Sequence, residues 1–162
     1  MFNREYQLKT NDNPNGNCVV YLMSRDQRIK DNHALIAAQN IAQQEKLPLA
    51  VLFNIHFNVG YRSQEHYRFM IDGLKQIESV CQKKNIKFIV TIGNPKNELL
   101  STLKSLDPRN LILDFNPLNG PKKIRKIYVN YKKIIIETLN ICSSSKIWSN
   151  FDCLSSIFNN KV

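Results

Sequence analysis

Short apolar runs rich in β-branched residues alternate along this chain with stretches of helical periodicity. The runs start near Val19, Leu49, Ile86, Asn110 and Ile134, and each intervening segment is long enough to hold a helix. Strands joined by helical crossovers pair in parallel, because the crossover returns the chain to the same end of the sheet. The pattern therefore predicts an α/β fold: a Rossmann-like parallel sheet of about five strands with helices on both faces.

Three helices are predicted between the first four strands. The first spans about residues 31–46, where Asp31 or Asn32 is placed to cap it, and the second spans about 63–84. The third begins at Pro95, because proline is favoured in the first turn of a helix. The basic segment from Lys122 is also expected to be helical.

Polar residues follow the strands where a ligand of such a sheet would lie. Parallel α/β sheets bind ligands outside the carboxyl ends of their strands. Gly93 and Asn94 follow the third strand, and the residues predicted to contact a ligand follow the other three: Met23, Ser24, Arg25, Asn54, His56, Asp114 and Asn116. No glycine-rich phosphate loop follows any strand, which argues against a dinucleotide enzyme or a P-loop protein.

Alternating charges follow the first strand, at Arg25, Asp26, Arg28 and Asp31. Two interpretations stay open: a local ion-pair network that fixes the turn, or an Arg25 guanidinium that faces an anionic ligand. No nucleophile signature accompanies His56, and no second carboxylate accompanies Asp114, which is expected to order the loop before Pro117. We therefore predict no catalytic residue.

Composition narrows the class of protein further. The four cysteines and three histidines lack the spacing of metal ligands, so no metal site is expected. The formal charge of +10 suits an anionic partner, either as weak non-specific DNA binding or simply as a solvated lysine-rich surface. No apolar run is long enough to span a membrane, and the chain is expected to be cytoplasmic.

Three segments resemble class II cyclobutane-pyrimidine-dimer photolyases. Residues 21–35 read Tyr-Leu-Met-Ser-Arg-Asp-Gln-Arg-Ile-Lys-Asp-Asn-His-Ala-Leu, similar to that family's opening signature except that Leu22 and His33 each replace a tryptophan. Residues 66–74 are similar to the family's second helix, and residues 114–118, Asp-Phe-Asn-Pro-Leu, resemble its Asp-Phe-Ser-Pro-Leu. The three segments occur in the family's order.

The resemblance implies a photolyase-type α/β domain over residues 18–141, after a polar tail at 1–17 and before a degenerate link at 142–162. In the family, a helical domain follows and holds FAD, whose reduced form repairs DNA by electron transfer. FAD is therefore expected only with a separate helical domain or chain, and this chain is expected to be silent as a lyase on its own. A deazaflavin antenna at the strand ends is the cofactor that the resemblance implies for this domain.

Other interpretations stay open beside this one. The chain is either cut at a domain boundary or a stand-alone relative whose catalytic half is lost or encoded separately. As an alternative function, the fold suits a nucleotide-binding module like the universal stress proteins, with ATP or AMP at the same strand ends.

Overall fold

A computed structural model describes residues 5–9, 15–57, 63–116 and 134–138 of the chain. These residues form six strands and three α-helices: β1 (Glu5–Lys9), β2 (Cys18–Met23), α1 (His33–Glu45), β3 (Leu49–Ile55), α2 (Gln64–Lys83), β4 (Lys87–Ile92), α3 (Leu100–Leu106), β5 (Pro108–Asp114) and β6 (Ile134–Thr138). A π-helical turn, Pro95–Leu99, leads into α3. The strands make one sheet in the order β1-β6-β5-β2-β3-β4.

The five strands β2 to β6 are parallel, as the sequence predicts. Strand β2 lies inside the sheet between β3 and β5, and all six of its residues are buried. Strand β1 is an addition to the prediction: it pairs antiparallel with β6, with Glu5 opposite Thr138. It lies within the segment 1–17 that we assigned to a polar tail, and its pairing with β6 brings that part of the segment into the sheet.

Helices cover both faces of the sheet, because successive side chains of a strand point to opposite sides. On one face Val19, Tyr21 and Met23 of β2 belong to a core that includes buried residues of α1 and α2. On the other face Val20 and Leu22 belong to a core that includes buried leucines of the π-helical turn and α3. The prediction of a doubly covered α/β sheet is confirmed.

The crossovers place a topological switch point at β2. From β2 the chain passes through α1 to β3, the neighbour of β2 on one side. Later it passes from β4 through α3, on the opposite face of the sheet, to β5, the neighbour of β2 on the other side. Ligands of open α/β sheets bind where neighbouring connections diverge in this way. We call the edge of the sheet where the parallel strands end the carboxyl edge, and the edge where they begin the amino edge.

Helices α1 and α2 begin and end within two residues of the predicted bounds, whereas the helix predicted from Pro95 begins as a π-helical turn and becomes α3 at Leu100. Asn32 caps α1 by accepting the backbone N–H of Leu35 at 2.9 Å, and Lys46 ends that helix in the left-handed conformation. The helix predicted from Lys122 and the link predicted at 142–162 lie outside the described residues. Among the described helices, none is both long and apolar enough to cross a membrane.

Candidate functional site

A buried carboxylate organises the carboxyl edge at the switch point. Asp114, the last residue of β5, is 5% exposed. Its Oδ2 accepts the backbone N–H groups of Ser24 and Arg25 at 2.9 Å each and that of Asp26 at 3.2 Å. Successive N–H groups that converge in this way form an anion-binding nest. The nest that follows β2 is therefore filled by the chain's own Asp114.

Tyr21 and Asn32 extend this arrangement into the core and to helix α1. The Tyr21 hydroxyl donates to Oδ1 of Asp114 at 2.7 Å and accepts from Nδ2 of Asn32 at 2.9 Å. The same Nδ2 lies 3.2 Å from the carbonyl oxygen of Asp26 and 3.0 Å from that of Arg28. We call this group the Asp114 cluster, and its members are Tyr21, Ser24, Arg25, Asp26, Asn32 and Asp114.

Burial governs the protonation of the cluster. Desolvation raises the pKa of Asp114 above its usual value, and the hydrogen bonds from Ser24 and Tyr21 oppose that rise. Desolvation, followed by the nearby charge of Asp114, raises the pKa of Tyr21 well above 10.0. Tyr21 therefore keeps its proton at neutral pH, where its hydroxyl remains a donor to Asp114.

Arg25 contributes its backbone N–H to the cluster and leaves its side chain exposed at the carboxyl edge. In the described part of the chain, ion pairs join Lys75 to Asp72 and Arg109 to Glu45, and neither involves Arg25. The Asp114 carboxylate and the Asn32 side chain both hydrogen-bond the turn that follows β2. The arginine side chain can therefore meet a ligand without leaving a partner among the described residues.

The other predicted site residues lie along the same edge but in separate contacts. Asn54 donates through Nδ2 to the Thr91 hydroxyl of β4 at 2.9 Å. The His56 side chain is exposed, and its backbone carbonyl accepts the Tyr67 hydroxyl at 3.2 Å. Met23 is buried in the core, whereas Asn116 is partly buried two residues after β5.

Gly93 and Asn94 shape the end of the next strand. Gly93 has a φ of +127° and donates its N–H to the Ile55 carbonyl at 2.9 Å, while Asn94 accepts the N–H of Lys96 at 3.0 Å. The structure thus brings Ser24, Arg25 and Asp114 into direct contact and leaves the remaining candidates at the ends of β2, β3, β4 and β5.

Sequence reasoning missed Tyr21 as a member of the site. It lies in a strand that reads as core, and its side chain is fully buried. A buried tyrosine hydroxyl requires a hydrogen-bond partner, and that requirement is the signal that points to a polar group nearby. The partner, Asp114, lies 93 positions along the chain.

The chemistry offered by the described edge is that of binding. Exposed donors and acceptors, notably the Ser24 hydroxyl, the Arg25 guanidinium and the His56 ring, surround a cluster whose carboxylate is already engaged. Within the described ranges, no three His, Cys, Asp or Glu side chains are grouped to hold a metal ion.

Solved structures with a similar fold include universal stress proteins. One from Pseudomonas aeruginosa UCBPP-PA14, described as putative, aligns with a TM-score of 0.57 and 11% identity, over 83% of this chain and 52% of its own. Another, from Archaeoglobus fulgidus, aligns with a TM-score of 0.52 and 14% identity, over 75% of this chain and 97% of its own. At such identities the likeness concerns the fold alone.

Sequence relatives are deoxyribodipyrimidine photo-lyases. The one from Potorous tridactylus is 38% identical over 99 residues, which are 61% of this chain and 19% of that protein. The one from Arabidopsis thaliana is 36% identical over 107 residues, which are 66% of this chain and 22% of that protein. The chain spans about a fifth of the length of these relatives. The DNA photolyase family matches residues 19–133, a range that holds all three resembling segments, and the chain belongs to that family.

Proposed function

We propose that this chain serves as the antenna-type α/β domain of a class II deoxyribodipyrimidine photolyase and binds a deazaflavin at its carboxyl edge. The observation that carries the proposal is the Asp114 cluster, which joins two separate family-like segments, residues 21–35 and 114–118, in one hydrogen-bonded unit. The same unit lies at the topological switch point, where α/β sheets bind their ligands.

The cluster supports binding because it fixes the loop that a ligand would meet. Three N–H groups on one carboxylate oxygen hold residues 24–26 in a single conformation, and Asn32 holds the start of α1. A rigid loop loses little conformational entropy when a ligand binds. The Ser24 hydroxyl and Arg25 guanidinium would then hydrogen-bond the ring carbonyls or anionic groups of the chromophore.

The residues that would hold the antenna are Ser24, Arg25, Asn54, His56 and Asn116, with Asp114 and Met23 supporting the loop from behind. The chromophore supplies light absorption and passes excitation to a flavin held elsewhere. The role assigned to this chain's residues is to bind and orient, and no step of DNA repair is assigned to them.

A nucleotide-binding function is the alternative, with ATP or AMP at the same edge. Phosphates bind where backbone N–H groups converge. The N–H groups that follow β2 already bond Asp114, so a nucleotide phosphate would have to displace a buried carboxylate to use them. This competition favours an aromatic antenna with few charges over a triphosphate.

A fluorescence titration with a deazaflavin, run beside one with ATP, tests the proposal. We expect saturable deazaflavin binding that Arg25→Ala weakens by about 1–3 kcal/mol, the cost of losing a hydrogen bond to a charged group. Lys104→Ala removes an equal charge from the amino edge and should leave the affinity unchanged.

Two results would contradict the proposal: no saturable deazaflavin binding, or ATP binding with the higher affinity. Melting curves of the same variants test the alternative role of Arg25. If the side chain only braces the turn, Arg25→Ala lowers the melting temperature and leaves ligand affinity intact.

A further inference from the structure

Strand β4 is the last strand on one side of the sheet. Its outer side, the side that faces away from β3, pairs with no other strand of the described residues. A strand in this position exposes N–H and C=O groups that can pair with another chain. Proteins commonly protect such strands with charges, prolines or β-bulges, so the protection of each outermost strand indicates whether it is built to stay unpaired.

The two outermost strands of this sheet differ in that protection. Strand β1 reads Glu-Tyr-Gln-Leu-Lys, and its register with β6 shifts between Gln7 and Lys9. Strand β4 reads Lys-Phe-Ile-Val-Thr-Ile and pairs with β3 without a shift, and its one charge is Lys87 at its first residue. Strand β4 therefore combines a regular backbone with an uncharged sequence, which is the kind of strand that a further strand can join.

Alternate residues of β4 direct their backbone groups to the outer side. Gly93, which follows β4, donates its N–H to the Ile55 carbonyl of β3. Successive residues of a strand direct their N–H and C=O groups to opposite neighbours. Counting back from Gly93, the residues whose N–H and C=O groups point away from β3 are Phe88, Val90 and Ile92.

The same residues leave apolar side chains exposed. Val90 is 41% and Ile92 is 60% exposed, whereas β2, inside the sheet, is buried throughout. Phe88 is partly buried against the core that includes α2. Residues two apart on a strand point to one face of the sheet, so these three side chains share a face. Exposed aliphatic side chains beside unpaired backbone groups suit a partner that supplies both a strand and apolar side chains.

We propose that this partner is a second copy of the chain, with β4 of one protomer antiparallel to β4 of the other about a twofold axis at Val90. Antiparallel residues that exchange two hydrogen bonds must each point to the other strand. This condition pairs Val90 with the partner's Val90, and Ile92 with the partner's Phe88. Two bonds in each of the three pairs would give about six backbone hydrogen bonds. Each copy has one such strand, so the assembly closes as a dimer.

The charges at the two ends of β4 suit this register. Lys87 would lie opposite the partner's Gly93. The Glu98 side chain lies beside Gly93, because a Cβ built on that glycine would be 3.0 Å from the Glu98 Cγ. Each end of the paired strands would therefore bring a lysine of one copy near a glutamate of the other. The inference does not require antenna binding, and either proposal can fail alone.

Sedimentation equilibrium of the 162-residue chain over a range of concentrations tests for the dimer. We expect a monomer–dimer equilibrium. Val90→Lys and Val90→Glu each place two like charges opposite one another at the twofold axis, and each should raise the dissociation constant of the dimer about tenfold or more. An equimolar mixture of the two variants places a lysine opposite a glutamate at the axis and should restore association.

A matched control adds the same charge away from β4. Ser79 is exposed on α2, on the side of that helix opposite the buried residues Leu74, Ile77 and Cys81. Ser79→Lys should keep the wild-type dissociation constant. Circular dichroism melts of all the variants establish that each is folded.

Hydrogen exchange locates the contact without any substitution. Raising the concentration of the wild-type chain should slow exchange at the amides of Phe88, Val90 and Ile92. The amides of Ile89 and Thr91 point to β3 and should be protected at every concentration, which makes them an internal control.

Three results would overturn the proposal. One is a monomer at every concentration, and another is a mixture of the two Val90 variants that associates no better than either variant alone. The third is protection of the Phe88, Val90 and Ile92 amides that does not depend on concentration, because another segment of the same chain would then cover β4.

Discussion

Removal of the Asp114 carboxylate tests how much its hydrogen bonds stabilise the switch point. In Asp114→Ala, three backbone N–H groups and the Tyr21 hydroxyl lose their acceptor, as does the exposed Ser24 hydroxyl, which donates to Asp114 at 3.4 Å. A buried donor left without an acceptor costs about 1–3 kcal/mol, and this cost is smaller where the donor is exposed enough to bond water. Because the Ser24 and Arg25 side chains are exposed, we take the low end of that range for the three N–H groups.

The expected loss is then about 4–5 kcal/mol in the free energy of unfolding, at the upper end of what a broken buried network costs. For a chain of this length, each kcal/mol lowers the melting temperature by about 2–4 °C. Urea unfolding followed by circular dichroism measures the free energy directly. Asp114→Asn keeps one oxygen for the nest and loses the charge, so its loss should be smaller, about 1–2 kcal/mol.

The control is Asp72→Ala, which removes an exposed carboxylate paired with Lys75 at 3.2 Å. Exposed pairs contribute little, so this change should stay within about 0.5 kcal/mol of wild type. Tyr21→Phe removes one donor to Asp114 and should cost about 1–2 kcal/mol. Because Tyr21 and Asp114 bond each other, the double variant Tyr21→Phe/Asp114→Ala should lose less stability than the sum of the two single losses. A loss in Asp114→Ala as small as that in Asp72→Ala would contradict a stabilising role for the Asp114 hydrogen bonds.

Three further outcomes are expected. Burial raises the pKa of Tyr21, so the unfolded state loses that proton at a lower pH than the folded state, and the stability of the fold should fall as the pH rises above about 10. Melts at alkaline pH measure this dependence, and Tyr21→Phe should flatten it. The pKa of Asp114 is raised from 3.8, so the contribution of this carboxyl group to stability is full at lower pH and declines as the pH rises through its folded-state pKa. Urea titrations at several pH values measure this decline, and Asp114→Asn should remove it. Gly16→Ala should destabilise the fold by about 1–3 kcal/mol in urea unfolding, because its Cβ would lie 2.4 Å from the Arg109 Cα. Gly73→Ala, on an open face of α2, should stabilise the fold by about 0.5–1 kcal/mol in the same assay.

Local patterns were sufficient to predict the parallel strands and most helix bounds. Strands β2 to β5 are apolar runs bounded by turns, and α2 shows a stripe of core residues such as Leu74, Ile77 and Cys81 at helical spacing. Strand β1 is not an apolar run. Glu-Tyr-Gln-Leu-Lys alternates polar and apolar residues over only five positions inside a polar segment, so that short strand pattern was missed, and the strand pairs with β6. The π-helical turn at Pro95–Leu99 likewise has no periodicity of its own within five residues.

The candidate site was predictable as a location and not as a set of contacts. Strand ends are visible in the sequence, so Ser24, Arg25 and Asp114 were all placed at the carboxyl edge. The bonds of Ser24 and Arg25 to Asp114 span 90 and 89 residues along the chain, and no local rule connects residues so far apart. We expected Asp114 to order the loop before Pro117, which lies outside the described residues; its observed hydrogen bonds order the loop after β2.

NMR locates a bound deazaflavin residue by residue and so tests whether the antenna site lies at the carboxyl edge. Amide spectra of the uniformly ¹⁵N-labelled chain, recorded during a deazaflavin titration, report where the ligand binds. We predict shifts at the amides of Ser24, Arg25 and Asp26 and of residues 54–56, with residues 83–87 of the amino edge unchanged. Shifts confined to residues 83–87, or no shifts at saturating deazaflavin, would contradict the claim.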